Sequence, residues 1–254
     1  MLDARRLPIA LATFAVWTAI TLFGARLSHG SAASLLDMLK SSVALHLVAA
    51  ALFLVVVALV CGWRDLAVRG PSPGSLRILW LPMLYLVGFA GMATALGWPS
   101  MSVLLFVAIN TLFVGISEEL MFRGVLYRAF LTRLPVWPAI VATSLMFGSV
   151  HVLNGFITGK FGEAAVQALA ATLTGLAMMA ILLRTGSLVV AMAYHALWDF
   201  LTFSMSAGQK AGTVEAAAAG GWATLVLPIA LVLPNAVYGL YLMRYVGRPA
   251  PRAP

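Results

Sequence analysis

Charge is what this sequence has least of. Only 9% of its 254 residues are charged and 62% are hydrophobic, whereas a soluble domain carries about 25% charged residues and is about half apolar. That scarcity excludes an ordinary soluble domain and leaves a polytopic membrane protein as the class. Cysteine is nearly absent too. Cys61 stands alone in an apolar run, so no disulfide framework can form and the residue reads as small core packing. The acids number eight against sixteen lysines and arginines. The resulting charge of +8 does not point to nucleic acid, because the arginines fall singly between apolar runs, with no basic stripe, RNA-binding aromatic segment or zinc-finger spacing. Basic loops flanking membrane spans account for it.

What is present is a series of apolar runs. About 20 helical residues cross a bilayer, and eight runs are long enough: Leu7–Ala25, Ser42–Gly62, Ile78–Leu96, Met101–Met121, Val136–Leu153, Ala164–Leu183, Ser187–Met205 and Trp222–Tyr245. The expected fold is an all-α polytopic membrane bundle of about eight transmembrane helices. It reads as one membrane domain, with N-terminal helices over 1–100, a core over 101–206 and a last helix and tail over 207–254. The connector Gly97–Ser100 makes spans three and four a tight hairpin. Span four continues as helix past Arg123 toward Arg133 until Pro135 and Pro138 interrupt it. The first run is longer than the apolar stretch of a signal peptide, and Phe23 stands where a cleavage site would need a small residue, so it reads as a retained helix. With the N-terminus inside, 12 basic residues face the cytoplasm and four (Arg26, Lys40, Lys160 and Lys210) face out. This positive-inside bias places both termini in the cytoplasm.

Three interruptions of the apolar runs carry the chemistry. Ionisable side chains at membrane depth cost at least a few kcal/mol each and mark function by default. The first is Ser117-Glu118-Glu119-Leu120-Met121-Phe122-Arg123. Glu119 and Arg123 stack four apart on one helix face in the favourable order for an ion pair, whereas neighbouring Glu118 points elsewhere. Arg123 therefore neutralises and orients Glu119, and Glu118 keeps a carboxylate that can act as general base toward water. The second is Phe147-Gly148-Ser149-Val150-His151, with the Phe147 ring beneath the His151 imidazole and Ser149 read as a small helix-packing residue. The third is His195-Ala196-Leu197-Trp198-Asp199, whose i,i+4 pair can ligate a metal, or can let Asp199 orient the imidazole.

The remaining acids and histidines fall in loops or near run ends. Glu118, Glu119, Asp199, His151 and His195 are thus the constellation expected of a water-activating or metal site. In a simple count of helix depth, Glu118 and Glu119 lie near the inner end of span four and His151 near the outer end of span five. The three pieces meet only if span five is tilted, or short and deeply buried. Other intramembrane chemistries lack their patterns here. No His-Glu-x-x-His of a zincin occurs, no Gly-x-Gly-Asp of an aspartyl protease, and no Gly-x-Ser-Gly of a rhomboid-type serine protease.

Glu118-Glu119…Arg123, Phe147…His151 and His195…Asp199, in that order over roughly Met101 to Met205, resemble the motifs of the CAAX-processing endopeptidase and bacteriocin-processing family. That family is also called CPBP or Abi, with the Ras-converting enzyme as its eukaryotic branch. The resemblance implies an intramembrane endopeptidase of the metallo or glutamate type. In it Glu118 activates a water with help from His151, and His195 and Asp199 stabilise the oxyanion or ligate a metal. Glu119 and Arg123 support the site. Where the Ras-converting branch has asparagine, this chain has Asp199, which favours an imidazolium or a zinc ion held by His151, His195 and Asp199. The implied partners are a peptide or protein substrate at the membrane and the lipid bilayer, with no nucleic acid. The implied location is the inner membrane of a bacterium. Two other functions fit the same carboxylates less well. One is a non-catalytic membrane scaffold or immunity factor; the other is a small carrier, for which no internal repeat or pair of broken helices is present.

Overall fold

A computed structural model describes residues 2–29, 34–208 and 223–247. Every regular element among them is helical. Helix α1 is Leu2–His29, α2 Leu35–Ser41, α3 Leu45–Val60, α4 Trp80–Leu96 (after a 3₁₀ turn from Ser75), α5 Met101–Glu119 and α6 Tyr127–Phe130. Then come α7 Val136–Val150, α8 Asn154–Thr158, α9 Phe161–Thr185, α10 Leu188–Ala207 and α11 Ala223–Met243. Seven stretches are long and apolar enough to cross a membrane, and the bent pair α2–α3 makes an eighth. The all-α, membrane-spanning expectation holds. Of the sequence expectations, Lys210 and the start of the last span at Trp222 lie outside the described residues.

The second span departs from expectation. Within the run Ser42–Gly62 the one α-helix is α3, only 16 residues long, and the short helix α2 that precedes the run meets it at 87°. Asp37 and Lys40, which interrupt the apolar pattern, are the first-turn acid and last-turn base of α2, joined at 2.7 Å. A break at this depth exposes backbone groups that lipid cannot satisfy. One side chain supplies what is missing. The Asn110 amide, buried on α5, accepts from the Ala44 N–H at 2.8 Å and donates to the carbonyls of Leu39 and Ser42 at 2.9 and 2.8 Å.

The span-three/span-four hairpin also opens. The turn at Gly97 is there, with φ +91°, but α10 packs against both α4 and α5. Span four runs on as expected, through a π-helical segment Leu120–Leu126 and α6 to Phe130. Pro135 caps α7 and Pro138 lies in its first turn, where proline is tolerated. Ser149 is exposed, its hydroxyl donating to the Leu145 carbonyl, and so it is not the packing residue expected.

Glycines hold α7 and α9 together. A Cβ at Gly148 would collide with Thr172 and the Ala168 carbonyl, and one at Gly175 would press on Ser144. Small residues thus let α9 approach α7 closely. Overpacking a site of this kind costs about 1–3 kcal/mol. Gly148→Val should therefore lower thermal stability and displace the adjoining Phe147 and His151, with loss of activity. Gly88→Ala, with nothing within 4 Å of the added carbon, should do neither. Equal melting of the two variants would contradict the close approach.

One end of the bundle is tied shut. Arg6 donates twice to Asp65 at 2.8 Å. Burial pushes the Asp65 carboxyl up, but the bonds and charge of Arg6 outweigh it and hold the group below the usual carboxylate range. The loop after α3 is stitched to the α9–α10 turn by the Ser72 N–H on the Thr185 carbonyl, the Leu188 N–H on that of Ala67, and the Ser187 hydroxyl on that of Arg69.

Candidate active site

The three polar interruptions do come together, at the middle of the bundle. The α5–π–α6 helix runs 11 residues beyond Glu119 to Phe130, so the two glutamates lie within a continuous helix and not at its end. Glu118 and Glu119 close α5 just where the backbone widens into the π-helical segment. Such widened turns recur at functional sites, and all seven residues of this one are buried.

Glu119 is fully buried and committed. Its Oε1 accepts from Arg123 Nη1 at 3.0 Å and from His195 Nδ1 at 2.8 Å. Arg123, also 0% exposed, donates a second bond to the Gly175 carbonyl at 3.1 Å and lies 4.2 Å over the Phe147 ring. Phe147 is the hub of an aromatic contact set. Its ring meets His151 at 5.1 Å, His195 at 5.9 Å and Phe122 at 5.1 Å, each edge-to-face. It is thus a template that fixes both imidazoles and the guanidinium.

The second glutamate is different. Glu118 makes no ion pair with an arginine; it faces His195 Nε2 at 3.7 Å, and Asp199 Oδ2 faces the same nitrogen at 3.5 Å. These separations exceed a direct hydrogen bond and match a gap that a small bridging group spans. Because Nδ1 of His195 gives its proton to a carboxylate, Nε2 is the nitrogen left for chemistry. His151 is set likewise. A carbonyl can only accept, so its Nδ1 donates to Phe147 O at 2.8 Å and Nε2 is left free. Glu118, His151, His195 and Asp199 all line one cavity of about 200 Å³, whose wall is otherwise mainly apolar.

The zinc expectation fits less well. Among the described residues no group of three or more His, Cys, Asp or Glu side chains is placed to hold a metal ion. His151, His195 and Asp199 share the cavity.

Some of the site was invisible in the sequence. Trp17 of α1 donates its indole N–H to Ser117 at 2.7 Å, one residue before the glutamates. His46, which falls at the start of an apolar run, lines the cavity, as do Asn154 and Gln167, bonded to each other at 2.9 Å. Asn110 had a signal, as the one amide in the run Met101–Ile116. Trp17 had none.

Residues 99–201 match the model of the family described as Rce1-like, the type II CAAX prenyl endopeptidases. No curated protein and no solved structure matches the chain. The matched segment contains all three motifs and every charged group around the cavity. Residues 99–201 of this chain are therefore similar to the Rce1-like CAAX endopeptidases, and that stretch is carried in an integral membrane helix bundle.

Proposed function

We propose that this protein is an intramembrane endopeptidase that hydrolyses a peptide bond of a membrane-associated substrate with a water activated by Glu118. One observation carries the reading: of two adjacent carboxylates, Glu119 is held through Oε1 by both Arg123 and His195, while Glu118 opens on the cavity shared with His151 and Asp199. This is how one carboxylate is spent on structure and its neighbour kept for proton transfer.

In the reaction, a water held between Glu118 and the free Nε2 of His151 gives its proton to the Glu118 carboxylate as its oxygen attacks the scissile carbonyl carbon. His195, when protonated, has one N–H fixed on Glu119; the other, on Nε2, donates to the oxygen that becomes negative. Asp199 holds that side of the ring. Collapse of the tetrahedral species breaks the C–N bond, and Glu118 returns its proton to the leaving amine. The reading needs no covalent acyl-enzyme: Ser117, the serine that lines the cavity, accepts the Trp17 indole N–H and is not hydrogen-bonded to a histidine.

Metal content and peptidase activity, measured on one detergent-purified sample of wild type and of His195→Ala, test the reading. The expected result is cleavage by wild type that withstands a chelator and is lost in the variant. Stoichiometric zinc that disappears together with activity in His195→Ala would replace this mechanism by a metallopeptidase one, with His195 as ligand.

A further inference from the structure

The bundle has two unlike ends, and the cavity opens at only one of them. Consecutive crossing helices alternate in direction, so each helix end can be assigned. At the first end lie the start of α1, the loop after α3, α6, the α9–α10 turn and the end of α11. Contacts confirm the grouping: Arg6 reaches Asp65, the 67–72 loop bonds to the 185–188 turn, and the Trp137 indole at the start of α7 donates to the Val246 carbonyl after α11. At the second end lie the end of α1, the start of α3, the α4–α5 turn, α8 and the end of α10. There Arg26 donates to the Phe156 carbonyl, and Gly208 sits against the Gly97 carbonyl.

The cavity belongs to the second end. Its lining comes from the last third of α1 (Thr21 and Ala25), the first turn of α3 (His46), α8 (Asn154) and the far half of α10 (Phe203). It adjoins a second, wider recess of about 620 Å³ through Asn154, Gln167 and Phe203, and that recess is lined by polar groups such as Ser34, Thr158 and Ser206. Toward the first end the way is blocked. All of Leu120–Leu126 and Met178–Leu182 are buried, forming a packed layer beneath the glutamates. Among the described residues, water and peptide therefore have one route, from the second end.

The charges are divided between the same two ends. Arg5, Arg6, Arg64, Arg69, Arg77, Arg128, Arg133, Arg184 and Arg244 flank the closed end, whereas Arg26, Lys40 and Lys160 are the cations at the open end among the described residues. Arg123, counted with the loop arginines on sequence alone, drops out because it is buried against Glu119. The bias survives without it. Cytoplasmic loops carry the excess of lysine and arginine, so the closed end faces the cytoplasm.

We infer that the cavity opens away from the cytoplasm, and that its substrate is a membrane-anchored peptide presented from the extracytoplasmic surface. Resting on the endopeptidase reading above, this excludes a substrate tail offered from the cytosol. The polar recess admits an extended, hydrated chain. The apolar wall of the first cavity, with Leu22, Met38 and Ile157, receives the membrane-embedded flank of the substrate.

Two reporters decide the sidedness. Gly70 at the closed end and Gly162 at the open end are both exposed, and an added Cβ at either meets nothing within 4 Å. In a Cys61→Ser background, Gly70→Cys and Gly162→Cys are treated with a membrane-impermeant maleimide in intact spheroplasts. Gly162→Cys should be modified at once and Gly70→Cys only after permeabilisation, with Lys160→Cys as a second open-end reporter. The reverse pattern, or equal modification of both, overturns the inference whatever the protein catalyses. Sealed vesicles of either orientation then receive an impermeant, lipid-anchored fluorogenic peptide. Cleavage in right-side-out vesicles, abolished by Glu118→Gln, is expected, and cleavage only in inverted vesicles overturns the inference while leaving the endopeptidase standing. The expected labelling with cleavage in neither orientation supports the sidedness and overturns the endopeptidase reading instead.

Discussion

Glu118→Gln should abolish peptide cleavage while leaving the folded protein intact. Loss of a general base typically costs about 10²- to 10⁴-fold in rate, and the adjacent carboxylate is not free to substitute. Glu119 is held by Arg123 and His195, and Asp199 lies on the far side of the His195 ring nitrogen from Glu119. The replacement keeps the side chain's shape and removes no ion pair with an arginine, so thermal unfolding in detergent should match wild type. The paired measurement is turnover of a fluorogenic peptide and the melting midpoint on the same preparation. Near-normal turnover would remove Glu118 from the mechanism. A biological effect that persists in this variant would favour the non-catalytic scaffold or immunity factor over the enzyme.

The second large effect is structural. Arg123→Met should be severely destabilising, because removing one partner of a fully buried ion pair costs about 3–5 kcal/mol. The variant also loses the bond to the Gly175 carbonyl and the stacking on Phe147. Glu119→Gln alone leaves the guanidinium without its counter-charge and should be destabilising for the same reason. The double variant Glu119→Gln/Arg123→Met should be clearly less destabilised than the sum of the singles, because neither then strands a charge. Denaturant titration of the four proteins in one detergent gives the cycle. Additivity would show that the pair contributes nothing as a pair.

The sequence made this pair legible because it depends on spacing within one helix. Residues four apart share a face, and the i,i+4 order of Glu119 and Arg123 sufficed; the same held for Phe147 under His151 and for His195 beside Asp199. Longer-range partners could not be read this way. That Glu119, and not Glu118, meets His195 depends on how α5 and α10 rotate against each other, which is set by close contacts such as Gly115 against the Met192 carbonyl. The eight apolar runs were visible because the bilayer imposes length and composition together. The α2–α3 bend was not, since Asp37 and Lys40 make the short helix look like a loop and its clamp, Asn110, is about 70 residues away.

The Glu119–Arg123 contact also bears on biosynthesis. An isolated arginine or acid at the centre of a span raises the cost of membrane insertion by about 2.5–3.5 kcal/mol. His195 and the Gly175 carbonyl, which complete the finished network, follow by 76 and 52 residues respectively, and so are not yet synthesised when this span leaves the ribosome. Arg123 is four residues away on the same helix. The nascent span can therefore enter the bilayer with its deepest charge already neutralised, and the later helices then find the carboxylate oriented to receive an imidazole.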